Sequence, residues 1–374
     1  MVWDLDKVHG DRSLWQMSKR PGRSLFDEQN KHQKLEKIND VLPRLSRMVE
    51  WEAFRGQLDG AFPVRDLKKG GQPPYDRVMM FKIMVLLELY SLSAEAMEYQ
   101  INDRASFQRF LGLEPQHMVP DATTIRLFAE QLTNAKTMEQ LFAAYHARLS
   151  VAGLVLNEGK IIDASMVHAP VQHNSRDEND RLKNEEIPAD WSAPKRAQKD
   201  LDATWTKKHG KSFHGYKNHV KVDAGSKLID HYVVTTASVS DGTMAWELLD
   251  ERDQGQDLHA DKGYDWQDVK DGIALAKMND CVLKQARRNS PLTEQDKQRN
   301  TALSRVRARV EHVFGSMNKQ LGGLSVRAIG LVRATFRVGL TNRATTSCAH
   351  CNSVPPHPWG SCDLSGRSPL DPST

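Results

Sequence analysis

After Gly153 the spacing of apolar residues changes from a helical period to a strand period, and any fold for this chain must accommodate that switch. Upstream, Val78, Phe81, Ile83, Met84, Leu86, Leu87 and Tyr90 make one strongly apolar helix behind Pro73-Pro74-Tyr75-Asp76, which offers a stop and a cap. Ser93 caps a second helix carrying Ala96, Met97 and Ile101, and Arg104 to Leu111 makes a third that ends at Gly112. A fourth opens at Val119-Pro120-Asp121-Ala122-Thr123-Thr124, capped by Asp121 or Thr123, with Ile125, Phe128 and Leu132 facing inward. Downstream, Leu154-Val155-Leu156 and Lys160 to Ser165 read as strand, β-branched and apolar. His214 to Val222 alternates and, after a Gly225-Ser226 turn, Leu228 to Thr236 makes a second strand-like run. Then come a helix over Met244 to Arg252, a strand over Asp257 to Ala260 and a helix over Trp266 to Met278. A strand at Cys281-Val282-Leu283 and a long helix from Thr293 to Leu321 complete the series.

Antiparallel hairpins that feed a crossover unit predict a mixed sheet flanked by helices, in ribonuclease H-like order. In that order the first strand, the end of the fourth strand and the last helix meet around one crevice. Those three places hold Asp163, Asp261 and Glu311. Each has a plain structural explanation when taken alone. Asp163 inside a buried strand is costly unless backbone donors, a partner or a cation satisfy it. Asp261 precedes a glycine turn, where acids serve turn geometry. Glu311 flanks the apolar stripe of Val306, Val310, Val313, Phe314 and Met317, one turn from Arg307, where surface pairing is the common fate. Their placement in three converging elements is what raises them above these alternatives.

Composition constrains the partners. With 39% hydrophobic and 27% charged residues the chain reads as a soluble globular protein of two domains, and no apolar run is long enough to span a bilayer. The first residues lack the layout of a signal peptide, and four cysteines do not make a disulfide framework, so a reducing, cytoplasmic setting is expected. The net charge of +4 is mild, so a nucleic-acid reading rests on where the basic residues lie. Residues 1–35 read as a polar, poorly ordered lead-in and 36–150 as a helical domain. Its short helices suit either a helix-turn-helix-like DNA reader, with a recognition helix near Thr123 and Arg104, Arg109 and Arg126 on phosphates, or a bundle that only packs. Residues 151–322 form the sheet domain. Within it 172–204 is a charged insertion or mobile loop, whose Asp177-Glu178-Asn179-Asp180 run lacks the glycine and terminal glutamate of a calcium loop. Strand alternation puts Lys217, His219 and Lys221 on one face, suited to a phosphate backbone or to a solvated sheet face. No cysteine or close histidine pair completes a zinc set there.

Residues 36–340 resemble the DDE transposases of bacterial insertion sequences, in particular the insertion-sequence-five family of the transposase four superfamily. The resemblance rests on Pro73-Pro74-Tyr75-Asp76, Leu92-Ser93, Asp103-Arg104-Ala105-Ser106-Phe107 and Val119 to Thr124 in the first half. In the second half it rests on Ile162-Asp163-Ala164-Ser165 and Ala260-Asp261-Lys262-Gly263-Tyr264. Of the family's third motif, Arg307 and Glu311 match, whereas Ser304 stands at its tyrosine and Asn318 at its lysine. The two aspartates are 98 residues apart and Asp261 lies 50 before Glu311, which leaves no room for a large inserted domain ahead of the last helix.

The resemblance implies an all-α DNA-binding domain followed by a ribonuclease H-like α/β catalytic domain. Asp163, Asp261 and Glu311 are then the catalytic and metal-binding triad for Mg2+ or Mn2+. The implied partners are double-stranded DNA, as inverted-repeat ends and target, and a second copy of the chain in a homodimeric synaptic complex. Thr123, Arg126, Lys217, His219, Lys221, Tyr264, Arg287, Arg288 and Arg307 are the expected DNA contacts. Lys284, Lys297, Arg299, Arg305 and Arg309 line the DNA path or serve solubility. The final segment, 323–374, departs from the family from about residue 343. From there it becomes rich in Ser, Pro, Cys and Gly, as if a reading-frame change had replaced the tail, and residues 343–374 are expected to be disordered. Its Cys348, Cys351, His357 and Cys362 have no flanking strand or helix to build a zinc site on, so no zinc is expected. An alternative function follows from the same lesion: an end-binding protein that inhibits active copies without catalysing. A general nuclease of the same fold is the third possibility.

Overall fold

The computed structural model describes residues 41–62, 70, 73–114, 116–184, 186–208, 210–288, 290–321 and 323–353; the expected lead-in over 1–35 lies outside them. Among the described residues seven α-helices precede the sheet: α1 (Val41–Met48), α2 (Arg55–Gly60), α3 (Arg77–Leu89), α4 (Ala94–Asp103), α5 (Ala105–Leu111), α6 (Ala122–Asn134) and α7 (Thr137–Val151). Their boundaries follow local chemistry. Asp76 accepts from the Met79 amide, Ser93 from Ala96 and Asp121 from Thr124, so Asp121 rather than Thr123 caps α6. Gly112 closes α5 in the left-handed conformation at φ 76°. Trp51, Phe54, Phe81, Phe107 and Phe110 lie in the buried core of this bundle.

The sheet follows: β1 (Lys160–His168), β2 (Thr204–Lys208), β3 (Lys211–Asp223), β4 (Ile229–Thr236), β5 (Asp257–Ala260) and β6 (Asn279–Val282). β1, β2 and β4 all pair antiparallel with β3, whereas β5 runs parallel to β1 and β6 parallel to β5. Apart from the extra β2 this is the ribonuclease H-like order read from the sequence. Leu154-Val155-Leu156 is not a strand. Between β1 and β2 lie α8 (Arg176–Lys183) and α9 (Ala193–Ala197), and α10 (Ala245–Leu248) and α11 (Gln267–Leu275) flank β5. α12 (Glu294–Arg307), α13 (Arg309–Gln320) and α14 (Leu331–Ser353) close the chain. The helix expected over Thr293 to Leu321 is therefore broken at Ala308. α13 and α14 cover one face of the sheet through Val310, Val313, Met317, Ala334 and Val338; α10 and α11 cover the other through Ala245, Leu248, Val269 and Ile273. Gly215 sits where β3 crosses the end of β1, and a Cβ there would lie 2.1 Å from the Val167 carbonyl oxygen.

Two expectations change. Residues 172–204 are an ordered excursion, because a Ser175–Glu178 capping box starts α8 and Glu178 then accepts from Trp191 Nε1 at 2.7 Å and Lys195 Nζ at 2.6 Å. Trp191 is buried, and the buried Asp200 accepts from the Tyr216 hydroxyl at 2.7 Å, so the segment is seated on the sheet domain although it is short of apolar residues. The departing tail is also helical as far as Ser353, and residues 354–374 lie outside the described ones. α14 is common to both cores, with Phe336 and Leu340 in the bundle and Ala334 and Val338 on the sheet, so its register buries whatever follows. Polar residues there find partners: Thr341 donates to Glu88, and the amides of Asn342 and Asn218 exchange two hydrogen bonds at 2.8 and 3.1 Å. Arg343 does not. Its guanidinium is wholly buried without a hydrogen-bond partner among the described residues, 4.7–5.1 Å from the ring centroids of Trp51, Phe54, Phe81 and Tyr145. Burial pushes its pKa down to about 10.

A second buried charge cluster is well satisfied by comparison. Lys160 Nζ lies 2.5 Å from Asp230 and 3.4 Å from Asp223, and His146 of α7 reaches Asp230 at 2.6 Å, joining the bundle to the sheet. Arg343 has attraction to the rings but no such donor accounting. Arg343→Leu is therefore expected to raise stability by about 1–4 kcal/mol in urea unfolding, the range seen when buried charges give way to apolar groups. Gly339→Ala should do the opposite by about 1–3 kcal/mol, because a Cβ there would lie 2.4 Å from the Tyr232 hydroxyl and 2.6 Å from Met138 Cγ.

Candidate active site

The parallel pairing of β1 with β5 sets Ile161 beside His259. Two residues on, the same register carries Asp163 alongside Asp261, which lies just past the end of β5 on the same face. Asp163 is part-buried within β1, opposite Val220 of β3, and its Oδ1 accepts from the Ala164 amide at 2.8 Å. Asp261 caps a short 3₁₀ turn over Lys262–Tyr264, its Oδ1 accepting from the Gly263 amide at 2.8 Å. The turn chemistry and the juxtaposition with Asp163 coexist in one side chain.

Glu311 arrives in the first turn of α13, and Arg307, the last residue of α12, draws it in. Arg307 Nη1 donates to Asp163 Oδ2 at 3.0 Å and Nη2 to Glu311 Oε1 at 2.8 Å. The planar fork thus ties strand to helix across 144 residues of sequence, a geometry a lysine could not reproduce. Asp163 nonetheless has its pKa raised to about 6: desolvation dominates and the charge of Asp261 adds to it, against the Ala164 amide, Arg307 and Lys208. The Tyr264 hydroxyl is buried without a hydrogen-bond partner, and burial together with Asp241, Asp163 and Asp261 pushes its pKa well up. Ser165 Oγ is likewise buried and unpartnered.

Among the described residues the carboxylates of Asp163, Asp261 and Glu311 are not gathered within 4.8 Å of one another, so a shared cation would have to draw them together. The donors are carboxylate oxygens, the class preferred by Mg2+ and Mn2+.

The expected DNA contacts divide sharply. Lys217, His219 and Lys221 share a face of β3, but that face is buried under the segment carrying Asp241, α10 and Asp253. Lys217 Nζ binds Val239 O at 2.6 Å and Asp241 at 2.8 Å; Lys221 pairs with Asp253. His219 is fully buried, its Nε2 lies 2.8 Å from Thr235 Oγ1, and burial pushes its pKa down to about 4. Alternation identified the shared face and not its covering layer. Tyr264 is buried too and offers no surface to DNA. Thr123 and Arg126 are exposed on α6, where Arg126 pairs with Glu95. Arg287 and Arg288 are exposed on the turn after β6, and Arg287 donates to the Asp265 carbonyl at 3.1 Å. Of the path cations, Lys284 pairs with Asp296, Arg299 donates to the carbonyls of Val282 and Asp280, and Arg309 donates to that of Ala224. Tyr264 is among the expected DNA contacts and Ser165 is part of the first acidic motif; what the sequence does not show is that both hydroxyls are buried, because burial depends on the surrounding fold.

A family model described as a transposase DDE domain matches residues 157–346, and one described as a transposase domain (DUF772) matches residues 29–131. The chain belongs to the DDE transposase family. The cryo-EM structure of a piggyBac transposase synaptic complex with hairpin DNA is similar at 10% identity and a TM-score of 0.41, over 86% of this chain and 76% of that one. Among the described residues no helix is long and apolar enough to cross a membrane.

In the metal-free chain the raised Asp163 pKa has a definite sign. The folded state holds this proton more tightly than the unfolded state, so stability falls as pH rises from about 3.8 to about 6. Asp163→Asn should therefore stabilise the chelated protein at pH 7.5 by up to about 3 kcal/mol, and the gain should vanish below about pH 4. Urea titrations at the two pH values check both halves.

Proposed function

We propose that this transposase binds the inverted-repeat ends of an insertion sequence and catalyses DNA strand cleavage and strand transfer at Asp163, Asp261 and Glu311. The observation that carries the reading is the Arg307 fork, which brings carboxylates from β1 and α13 to one point beside the end of β5. Asp163, Asp261 and Glu311 would hold Mg2+ or Mn2+. A divalent ion there supplies Lewis-acid activation of the attacking oxygen and charge neutralisation at the leaving oxygen. The chain supplies the rest. Arg307 fixes the orientation of Asp163 and Glu311, and the buried Tyr264 feels the charge of both aspartates. The exposed guanidinium groups of Arg287 and Arg288 hold phosphates near the site, and Thr123 and Arg126 meet DNA from the exposed side of α6. Two ends brought together need two active sites, so the working assembly is at least a dimer.

A second reading has a specific observation behind it. The buried, unpartnered Arg343 weakens the element shared by both cores, which supports a chain that binds ends and cleaves poorly. Gel-shift and nicking assays on a duplex carrying the flanking inverted repeat separate the readings. Asp163→Asn, Asp261→Asn and Glu311→Gln should each lower magnesium-dependent cleavage by at least about 10³-fold while end binding stays within about twofold. Binding without nicking by the native chain selects the second reading, and cleavage without preference for the ends selects a general nuclease.

A further inference from the structure

We propose that Asp257, His259 and Cys281 form a second metal site, for zinc or a similar borderline-soft divalent ion, separate from the carboxylate trio. β5 and β6 run parallel with His259 directly beside Cys281, and Asp257 lies two residues before His259 on the same face. One ligand atom from each of the three lies within 4.8 Å of the others. Tetrahedral zinc with Zn–N of about 2.0–2.1 Å and Zn–S of about 2.3 Å needs ligand atoms roughly 3.3–3.8 Å apart, a rotamer adjustment from the observed spacing.

His259 is 4% exposed, and its Nδ1 is buried without a hydrogen-bond partner among the described residues. A buried ring nitrogen left unpaired costs free energy that coordination would recover. The surroundings agree. Asn279 Nδ2 donates to Asp257 Oδ1 at 2.9 Å and orients that carboxylate from outside. Gly159, at φ 111°, packs against the Asp257 end of β5, where a Cβ would lie 3.2 Å from the Asp257 carbonyl oxygen. Asp257 is exposed, which gives the ion an entry path and leaves a coordination position to water. Arg299 and Arg309, the cations acting on His259, are held by backbone carbonyls, and the thiolate and carboxylate together supply two negative charges against them.

Donor softness separates the two sites. Thiolate and imidazole select zinc, whereas the oxygen-only trio selects magnesium or manganese. On binding, the Cys281 S–H bond breaks, its proton passes to solvent and the sulfur electron pair goes to the ion; His259 binds neutral and nothing is oxidised or reduced. The bound ion would staple β5 to β6 two residues before Asp261, stiffening the strand that presents it. In sequence, His259 and Cys281 are 22 residues apart, so no short-spacing zinc motif exists to be seen.

The tail thiols must be removed as competitors, so the test uses the full chain with Cys348, Cys351 and Cys362 changed to serine, stripped with chelator. Added zinc chloride should bind at one per chain and raise the melting temperature, and cobalt(II) should give a thiolate charge-transfer band. Millimolar magnesium should displace neither ion. Cys281→Ser should abolish the cobalt band, and Cys281→Ser or His259→Ala should weaken zinc at least tenfold, whereas Asp163→Asn should leave zinc binding intact. Circular dichroism and DNA-end binding establish that each variant folds. Absence of zinc binding in the serine background, or zinc binding unchanged in folded Cys281→Ser and His259→Ala chains, would overturn the proposal.

Discussion

Everything at the candidate active site depends on the parallel pairing of β1 with β5. That pairing is short, resting on Lys160 with Leu258 and Ile161 with His259, yet it fixes the register. A slip of one residue would turn Asp163 to the opposite face and separate it from Asp261. Two carboxylates side by side at the end of a sheet repel one another, and the raised pKa of Asp163 records desolvation first and that repulsion as well. Arg307 offsets part of the charge and, through its second nitrogen, recruits Glu311 from the next helix. The break between α12 and α13 falls at Ala308, between the arginine and the glutamate it holds, so the change of helix sits at the centre of the site.

The opposite end of the constraint is α14. It packs on β4 so closely that Gly339 admits no side chain, and it contributes to the helical bundle and the sheet alike. Its burial follows from register and not from composition. Thr341 and Asn342 are accommodated because Glu88 and Asn218 face them, whereas Arg343 enters an aromatic cage with no acceptor. The family match, which continues to residue 346, ends inside this helix.

Local chemistry made the helices of the first half legible: Asp76, Ser93, Gly112 and Asp121 mark boundaries that backbone hydrogen bonding enforces. Strand order was legible because period and turn signals are local too, and it brought Asp163, Asp261 and Glu311 to one crevice on paper. What alternation cannot convey is which face a later segment covers. Lys217, His219 and Lys221 have the pattern of a surface ribbon, yet Asp241 and Asp253, distant in sequence, pair with the two lysines, and His219 and Lys221 are buried. Residues 172–204 misled for a related reason, since Trp191 bonded to Glu178 and Asp200 bonded to Tyr216 seat a stretch whose composition is that of a loop. Helical spacing makes Arg307 a neighbour of Glu311 and the resemblance makes it a DNA contact; its reach to Asp163 is a long-range contact that helical spacing does not encode.

The central claim is that Asp163 and Asp261 are ligands of the catalytic ion, and exchanging a ligand atom tests it most directly. Each is replaced by cysteine in turn, and cleavage of an inverted-repeat duplex is measured in magnesium and in manganese. Sulfur binds magnesium poorly and manganese better, so cleavage should be lost in magnesium and recovered in manganese for both variants. Cleavage by either variant at the native rate in magnesium would contradict the assignment.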